Sequence, residues 1–394
     1  MPSHPDNQPT VIVIGLDCIT GLQITRALHG AGVRVIGLAN NTKHFATRTR
    51  CVSDIRIVDW DSPSLLTCLR SLATPDRPVL MPATDTAVAL VAPHGDELST
   101  LFRLANPQAT SIGRALGKIC FAAHSEQHGI PIPRTRKVES LDDIHRAGEE
   151  LTAPYVLKPN IKSQRWDDFA GAKVLRAADR DELVRIYQRS QGWSDHFVVQ
   201  EWVEGDDDAM YSYYSFIDED RRIVADCVGH KIRQWPRLTG SGTLSEIYED
   251  PEIIETGRAL LESLEHRGFA TINMKRDSET GKLFVIEANV GRPGMGMFIA
   301  EAAGIDITYL AYRALVGLPM LPVPQVRFPN ARWVSMKRDF AAAITRWQQG
   351  QLSLGDYLRS IRRVRRRAVF ALRDPLPFFY DVLRSPAQVY RRRS

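Results

Sequence analysis

The sequence is poor in cysteine: five in 394 residues, at positions 18, 51, 68, 120 and 227, with no CxxC spacing. That pattern implies neither a zinc site nor a disulfide framework. It predicts small apolar fillers in a reducing cytoplasm. No apolar run approaches the ~20 residues that a membrane-spanning helix needs. Residues 1–10 are polar, and Val11-Ile12-Val13-Ile14 is too short for a signal-peptide core, so secretion is not expected. Gly15 and Gly21, in the first strand–loop–helix, fit neither GxGxxG nor GxxxxGKS/T, which excludes dinucleotide and P-loop readings there. The ten histidines form no HExxH and no His-Asp-Ser order. His124, His128 and His145 are expected on solvated helix faces.

At 44% hydrophobic residues, the chain can bury a large core in two or three domains. Val11-Ile12-Val13-Ile14, a helix over 22–31 and a strand over 33–38 read as the first βαβ unit of a doubly wound parallel sheet. Val79-Leu80-Met81-Pro82, the loop 83–85 and an apolar helix over 87–92 continue it. Ligands bind beyond strand ends in such sheets, so 15–20 and 83–85 are expected to face one cleft. Asp85 reads equally well as a helix N-cap. A linker follows at 106–113, and 320–335 is a proline-bearing connection.

The most informative stretch is Leu283-Phe284-Val285-Ile286-Glu287-Ala288-Asn289, paired through a turn at 278–282 with Thr271-Ile272-Asn273-Met274-Lys275-Arg276-Asp277. Side chains alternate along a strand, so Glu287 and Asn289 share a face. A carboxylate and an amide oxygen so placed suit a hard cation such as magnesium, which takes one or two protein oxygens and leaves the rest to phosphates. Asn273 falls on the face of Thr271 and Lys275, opposite the Glu287 row. A half-buried hairpin with polar residues toward solvent would read the same way.

Other segments, in order, add weight. Arg114-Ala115-Leu116-Gly117-Lys118 precedes Gly129-Ile130-Pro131-Ile132-Pro133-Arg134-Thr135. Pro154-Tyr155-Val156-Leu157-Lys158-Pro159 is a short strand ending in lysine. Residues 197–208 form a strand that runs into an acidic turn. With Glu287-Ala288-Asn289-Val290-Gly291-Arg292, the set resembles the ATP-grasp superfamily from about residue 11 to 317, in particular its carboxylate–amine ligases.

The resemblance implies an α/β and α+β chain. A pre-ATP-grasp parallel-sheet domain would cover 1–110, the small ATP-grasp lobe 111–195, and the large lobe 196–320 with an antiparallel nucleotide sheet. A linker and basic helical tail would occupy 321–394. It implies ATP and Mg2+ as cofactors. Lys118 and Lys158 would reach the phosphates. Gln200, Glu201, Trp202 and Val203 would lie along adenine, with backbone groups of Glu201 and Val203 on the base edge. Asp207 would hold the ribose, with Asp206 and Asp208 as rivals. Glu287, Asn289 and Asn273 would hold metal. Arg233 and Arg292 would stabilise the transferred phosphoryl group, and Arg292 could equally reach a substrate carboxylate. Loops at 161–171 and 236–243 would cover phosphates and substrate. The chain departs from the pattern at Gly117, Asp207 and Asn273, where an acid, a Glu and an acid are usual. The implied reaction joins a small-molecule carboxylate to an amine through an acyl phosphate. The alternative is a catalytically weak nucleotide-binding regulator or scaffold.

Charge is uneven. Eleven Arg against three Asp give residues 356–394 a charge of +8, which leaves −3 elsewhere out of the net +5. Arginines interleaved with Phe, Val and Leu suit packing against the body. They also suit peripheral contact with an anionic membrane at its inner face. No nucleic-acid module is present, and no nucleic-acid partner is expected. A homodimer is compatible with the sequence.

Overall fold

The computed structural model describes residues 8–105, 110–161, 164–322 and 325–391. Strands β1 (Val11–Ile14), β2 (Val35–Ala39), β3 (Asp54–Ile57) and β4 (Val79–Pro82) form a parallel sheet in the order β3-β2-β1-β4. All four β1 residues are buried, as expected of a central parallel strand covered on both faces. The helix Ile19–Gly30 packs tightly on the β1 loop. A Cβ at Gly21 would stand 2.2 Å from the Gly15 carbonyl oxygen, so only glycine fits. Cys18 caps this helix, its sulfur accepting from Gly21 N–H. All five cysteines are unbonded, and Cys120 is exposed instead of filling core space.

The small lobe contains β5 (Thr135–Val138), β6 (Tyr155–Pro159), β7 (Leu175–Ala177) and β8 (Phe197–Glu201), all antiparallel, in the order β5-β8-β6-β7. The expected cover loop at 161–171 is largely the helix Gln164–Ala170. Its Trp166 does not cover anything: it is fully buried, donates Nε1–H to the Ala172 carbonyl and meets Phe197 edge-on. Burying the indole removes a large apolar area from water, and its N–H keeps a hydrogen-bond partner. Residues 162 and 163 of this loop lie outside the described residues. His124, read as solvated, is buried and bonds Ser263 Oγ at 3.0 Å.

The large sheet comprises β9 (Met210–Ile217), β10 (Ile223–Trp235), β11 (Ser241–Tyr248), β12 (Gly268–Arg276), β13 (Leu283–Val290), β14 (Arg332–Val334) and β15 (Val364–Arg367). Their order is β13-β12-β9-β10-β11-β14-β15. The β12–β13 register sets Thr271 opposite Asn289 and Asn273 opposite Glu287, so Asn273 is the cross-strand neighbour of Glu287. The glycine-rich 236–243 segment is no open loop: β11 begins at Ser241. Arg237 pairs with Asp206, and Leu238 N–H donates to Asp207 at 2.8 Å, which pins the turn.

The basic C-terminal region is built into the fold. β15 pairs in parallel with β14, and the helix Met336–Gln348 packs on β10 and β11. Asp374 is buried against the N-terminal domain. It accepts from Arg26 Nε at 2.8 Å, Thr49 Oγ1 at 2.6 Å and Arg50 N–H at 3.0 Å. Among the described residues, no helix is long and apolar enough to cross a membrane.

Candidate active site

Glu287 is exposed to solvent yet stands among cations. The surrounding protein disfavours its charge, but Lys173, Lys231, Lys118 and Lys158 prevail and hold its carboxyl down at about 2. The lysines show the reciprocal strain. Burial, then repulsion by Lys118, pushes Lys158 down to about 8 against the pull of Glu287. Burial likewise lowers Lys231 to about 8, opposed by Glu287 and Asp207 and assisted by Lys173. Four ammonium groups around one carboxylate make a site short of negative charge, which a polyphosphate would supply.

The strands and helix ends explain the convergence. Lys158 closes β6, where it donates to Gln200 Oε1 at 2.5 Å, and Gln200 in turn donates to Thr135 Oγ1. Lys118 opens the helix Lys118–Gln127 behind Gly117, which offers no side-chain cap. Asn160 serves instead: its Oδ1 accepts from Ile119 N–H at 3.0 Å, and its carbonyl accepts from Lys118 Nζ at 3.3 Å. Lys173, just beyond the small-lobe helix, reaches the large lobe at Ser241 Oγ, 3.3 Å away. Asn273 donates its amide to Glu287 at 2.8 Å and accepts from Ser212 at 2.7 Å. Its role in the structure is to orient Glu287. Asn289 lies two residues beyond Glu287, across from Thr271.

The segment expected along adenine is held from several sides. The Glu201 carboxylate accepts from Thr152 N–H and Arg134, and Trp202 N–H donates to Pro154. Lys275 Nζ donates to the Val203 carbonyl at 2.8 Å and sits 4.4 Å from the centre of the Trp202 ring. Burial lowers the Lys275 pKa, against the pull of nearby acids.

Two expected roles are overturned. Asp207 is fully buried, and both its oxygens are taken. It accepts from Gln234 N–H and Nε2, Leu238 N–H and Arg346, so no lone pair faces a ribose. Its rival Asp206 is held by Arg237, and Asp208 lies exposed. Arg233 is 2% exposed and spends its guanidinium on Asp339 and Ser360. The cause is a register shift in β10 between Lys231 and Arg233, which breaks the alternation that put both on one face. Lys231, not Arg233, is the β10 cation beside Glu287. Sequence reading missed it because the pattern Lys231-Ile232-Arg233 offers two cations and marks no bulge. Lys173 has no motif at all.

Arg292, two residues beyond β13, bridges that strand to the N-terminal domain, meeting Asp85 at 2.6 and 2.9 Å. Burial disfavours its charge, and Asp85 more than compensates. Thr84, not Asp85, is the cap of the helix Asp85–Val91. Among the described residues, no cluster of three or more His, Cys, Asp or Glu could hold a metal alone. A lone carboxylate with neighbouring amides fits magnesium only when phosphate oxygens complete the shell.

No protein-family model matches the chain. It is 29% identical over 240 residues to the D-aspartate ligase of Enterococcus faecium, covering 58% of this chain and 56% of that enzyme. The chain thus spans little more than half of that relative. Its fold matches N5-carboxyaminoimidazole synthetase from Staphylococcus aureus complexed with ADP, with a TM-score of 0.65, 13% identity and 81% and 80% coverage of the two chains. It also matches a biotin carboxylase domain from Hydrogenobacter thermophilus bound to MgADP, with a TM-score of 0.64, 12% identity and 82% and 73% coverage. The architecture is that of the ATP-grasp fold, as the resemblance implied.

Proposed function

We propose that the protein is an ATP-dependent carboxylate–amine ligase. The observation that carries this reading is the convergence of Lys118, Lys158, Lys173 and Lys231 on Glu287. In the reaction, a substrate carboxylate oxygen takes the γ-phosphoryl group and the bond to ADP breaks. An amine then attacks the acyl carbon, phosphate leaves, and the amine gives up a proton. The chain's lysines gather and neutralise the phosphates, and Arg292, anchored by Asp85, stands where the metal strand meets the N-terminal cleft. Glu287 and Asn289 would hold magnesium, which when bound supplies charge neutralisation between phosphate oxygens. Gln200, Glu201, Trp202 and Val203 would line the adenine. Five free thiols agree with a cytoplasmic setting.

The likeness to D-aspartate ligase makes an acidic amino acid the first carboxylate to try. The test is ADP release with Mg-ATP, D-aspartate and related acids, and a panel of amines. ADP formed only when acid and amine are both present supports the ligase. One observation favours a weaker catalyst: Asn273 is locked between Ser212 and Glu287, so no second carboxylate stands there. Tight nucleotide binding without ADP release from any pair would select that second reading.

A further inference from the structure

The C-terminal segments carry an apolar surface that the ligase chemistry does not use. The helix Met336–Gln348 turns Asp339, Ala342 and Ala343 inward. On its other side Met336, Phe340, Ile344 and Trp347 recur at helical spacing and stay exposed, Trp347 at 66%. The helix Leu354–Ile361 presents Leu354 and Leu358 in the same way, and the last helix presents Leu376, Phe379, Val382 and Leu383. Eleven of the twenty large apolar side chains left exposed among the described residues lie between 336 and 383, so this is a concentrated patch and not ordinary surface scatter. The three helices and β15 meet at one groove of about 400 Å³, lined by Met336, Phe340, Ile361, Val364, Phe378 and Val382.

The charge around this face is predominantly positive, with Asp356 and Asp381 as acids on it. Residues 336–394 hold fourteen Lys and Arg against four Asp and no Glu, a charge of +10 that leaves −5 for the rest of the chain. Some of these cations are structural: Arg346 holds Asp206 and Asp207, and Arg366 holds Glu301. In the groove wall Lys337 is paired with Asp381 at 3.0 Å beside Arg367, while Arg362, Arg363, Arg365, Arg373 and Arg384 are exposed on the same segments.

We propose that this face docks on an anionic lipid bilayer, with the apolar side chains at the headgroup–acyl boundary and the arginines on lipid phosphates. Of the surfaces that could cover it, only this one rewards both halves of the pattern. A second copy would set one predominantly basic face against another. A nucleic acid would accept the arginines but leave Ile344, Leu354, Leu358 and Leu383 facing phosphates. The helices are too short and too polar to span, so contact is at the surface.

The test is co-sedimentation of the full chain with vesicles of equal parts phosphatidylglycerol and phosphatidylcholine, against pure phosphatidylcholine, at low and high salt. Expected is binding to the anionic vesicles, weakened at least tenfold by high salt, with Trp347 quenched by brominated acyl chains. The triple variant Phe340→Ser/Trp347→Ser/Leu354→Ser should lose at least tenfold in vesicle binding. All three side chains are exposed, so its thermal unfolding and its shift with ATP should match the unaltered protein. Arg362→Gln/Arg363→Gln/Arg365→Gln should lose the salt-sensitive part. Absent vesicle binding, or equal binding by the triple variant, overturns the proposal. So does a vesicle-independent dimer dispersed by the triple substitution, which would make the occupant a second copy. Retention on nucleic acid without vesicle binding also overturns it.

Discussion

Asp339 takes both forks of the Arg233 guanidinium, at 2.9 and 2.8 Å, with neither side chain in contact with bulk water. Thr243 adds a hydroxyl to the same carboxylate at 3.0 Å, and the Tyr357 ring covers the guanidinium at 5.2 Å. The helix Met336–Gln348 is therefore fastened to β10 by a desolvated ion pair. Breaking such a pair from one side costs about 3–5 kcal/mol, because the remaining charge stays buried. Asp339→Ala should lower the thermal midpoint by several degrees. Arg233→Met with Asp339→Leu should recover much of that loss, since no charge is left behind. If the double variant regained stability but lost turnover while binding ATP normally, Arg233 would return to the catalytic machinery.

Lys231 replaces Arg233 as the β10 cation at the site. It faces Glu287 from a buried position, where its charge is held at a cost. Lys231→Met should reduce turnover by about 10²–10³, the size typical of one preorganised charge-stabilising group. ATP affinity, measured by calorimetry, should change less than turnover if the contact strengthens as the phosphoryl group moves. Wild-type turnover in the variant would leave Lys231 as packing only.

Glu287→Gln removes the one anion that four lysines share. ADP release should fall by at least about two orders of magnitude, because metal-borne charge neutralisation contributes several kcal/mol. The backbone pairing of Asn273 with residue 287 does not depend on the carboxylate, so circular dichroism should be unchanged. Full activity in this variant with magnesium would remove residue 287 from the metal site.

These particulars show how far sequence reading carries. The placement of Glu287 and Asn289 on one strand, across from Asn273 and Thr271, is legible because strand alternation is a local rule and the register of β12 with β13 follows from one short hairpin. Arg233 and Asp207 are misread because their surroundings come from far away in the chain. A bulge redirects Arg233, Asp339 waits 106 residues later to bind it, and Arg346, from the same helix, closes on Asp207. Composition left residues 356–394 open between packing against the body and contact with an anionic surface. Nothing local announces that Asp374 will be buried on Arg26, Thr49 and Arg50, so truncation there removes part of the fold.

His266 gives the protein an acid-sensitive joint. It is 1% exposed, Nε2–H donates to the Phe269 carbonyl at 3.1 Å, and Nδ1 faces Ser111 Oγ at 3.3 Å. Burial outweighs the carbonyl bond and pushes its pKa from 6.5 down to about 4. Above pH 6.5 the ring is neutral in both folded and unfolded chains and contributes no pH dependence. Between 6.5 and 4 the unfolded chain takes a proton that the folded one refuses, so stability falls as pH drops. Below 4 the loss is complete, on the order of 3 kcal/mol. Glu301 acts with the opposite sign: burial, then Asp306, raises it to about 8, so its contribution grows as pH falls from 8 toward 4.5. Glu301 is common to wild type and His266→Gln, so the difference between their thermal midpoints isolates the histidine. That difference should be flat from pH 8 to 7 and should shift in favour of the variant as pH falls from 6.5 to 4. A difference that stays constant across that window would mean the ring is free to protonate in the folded state.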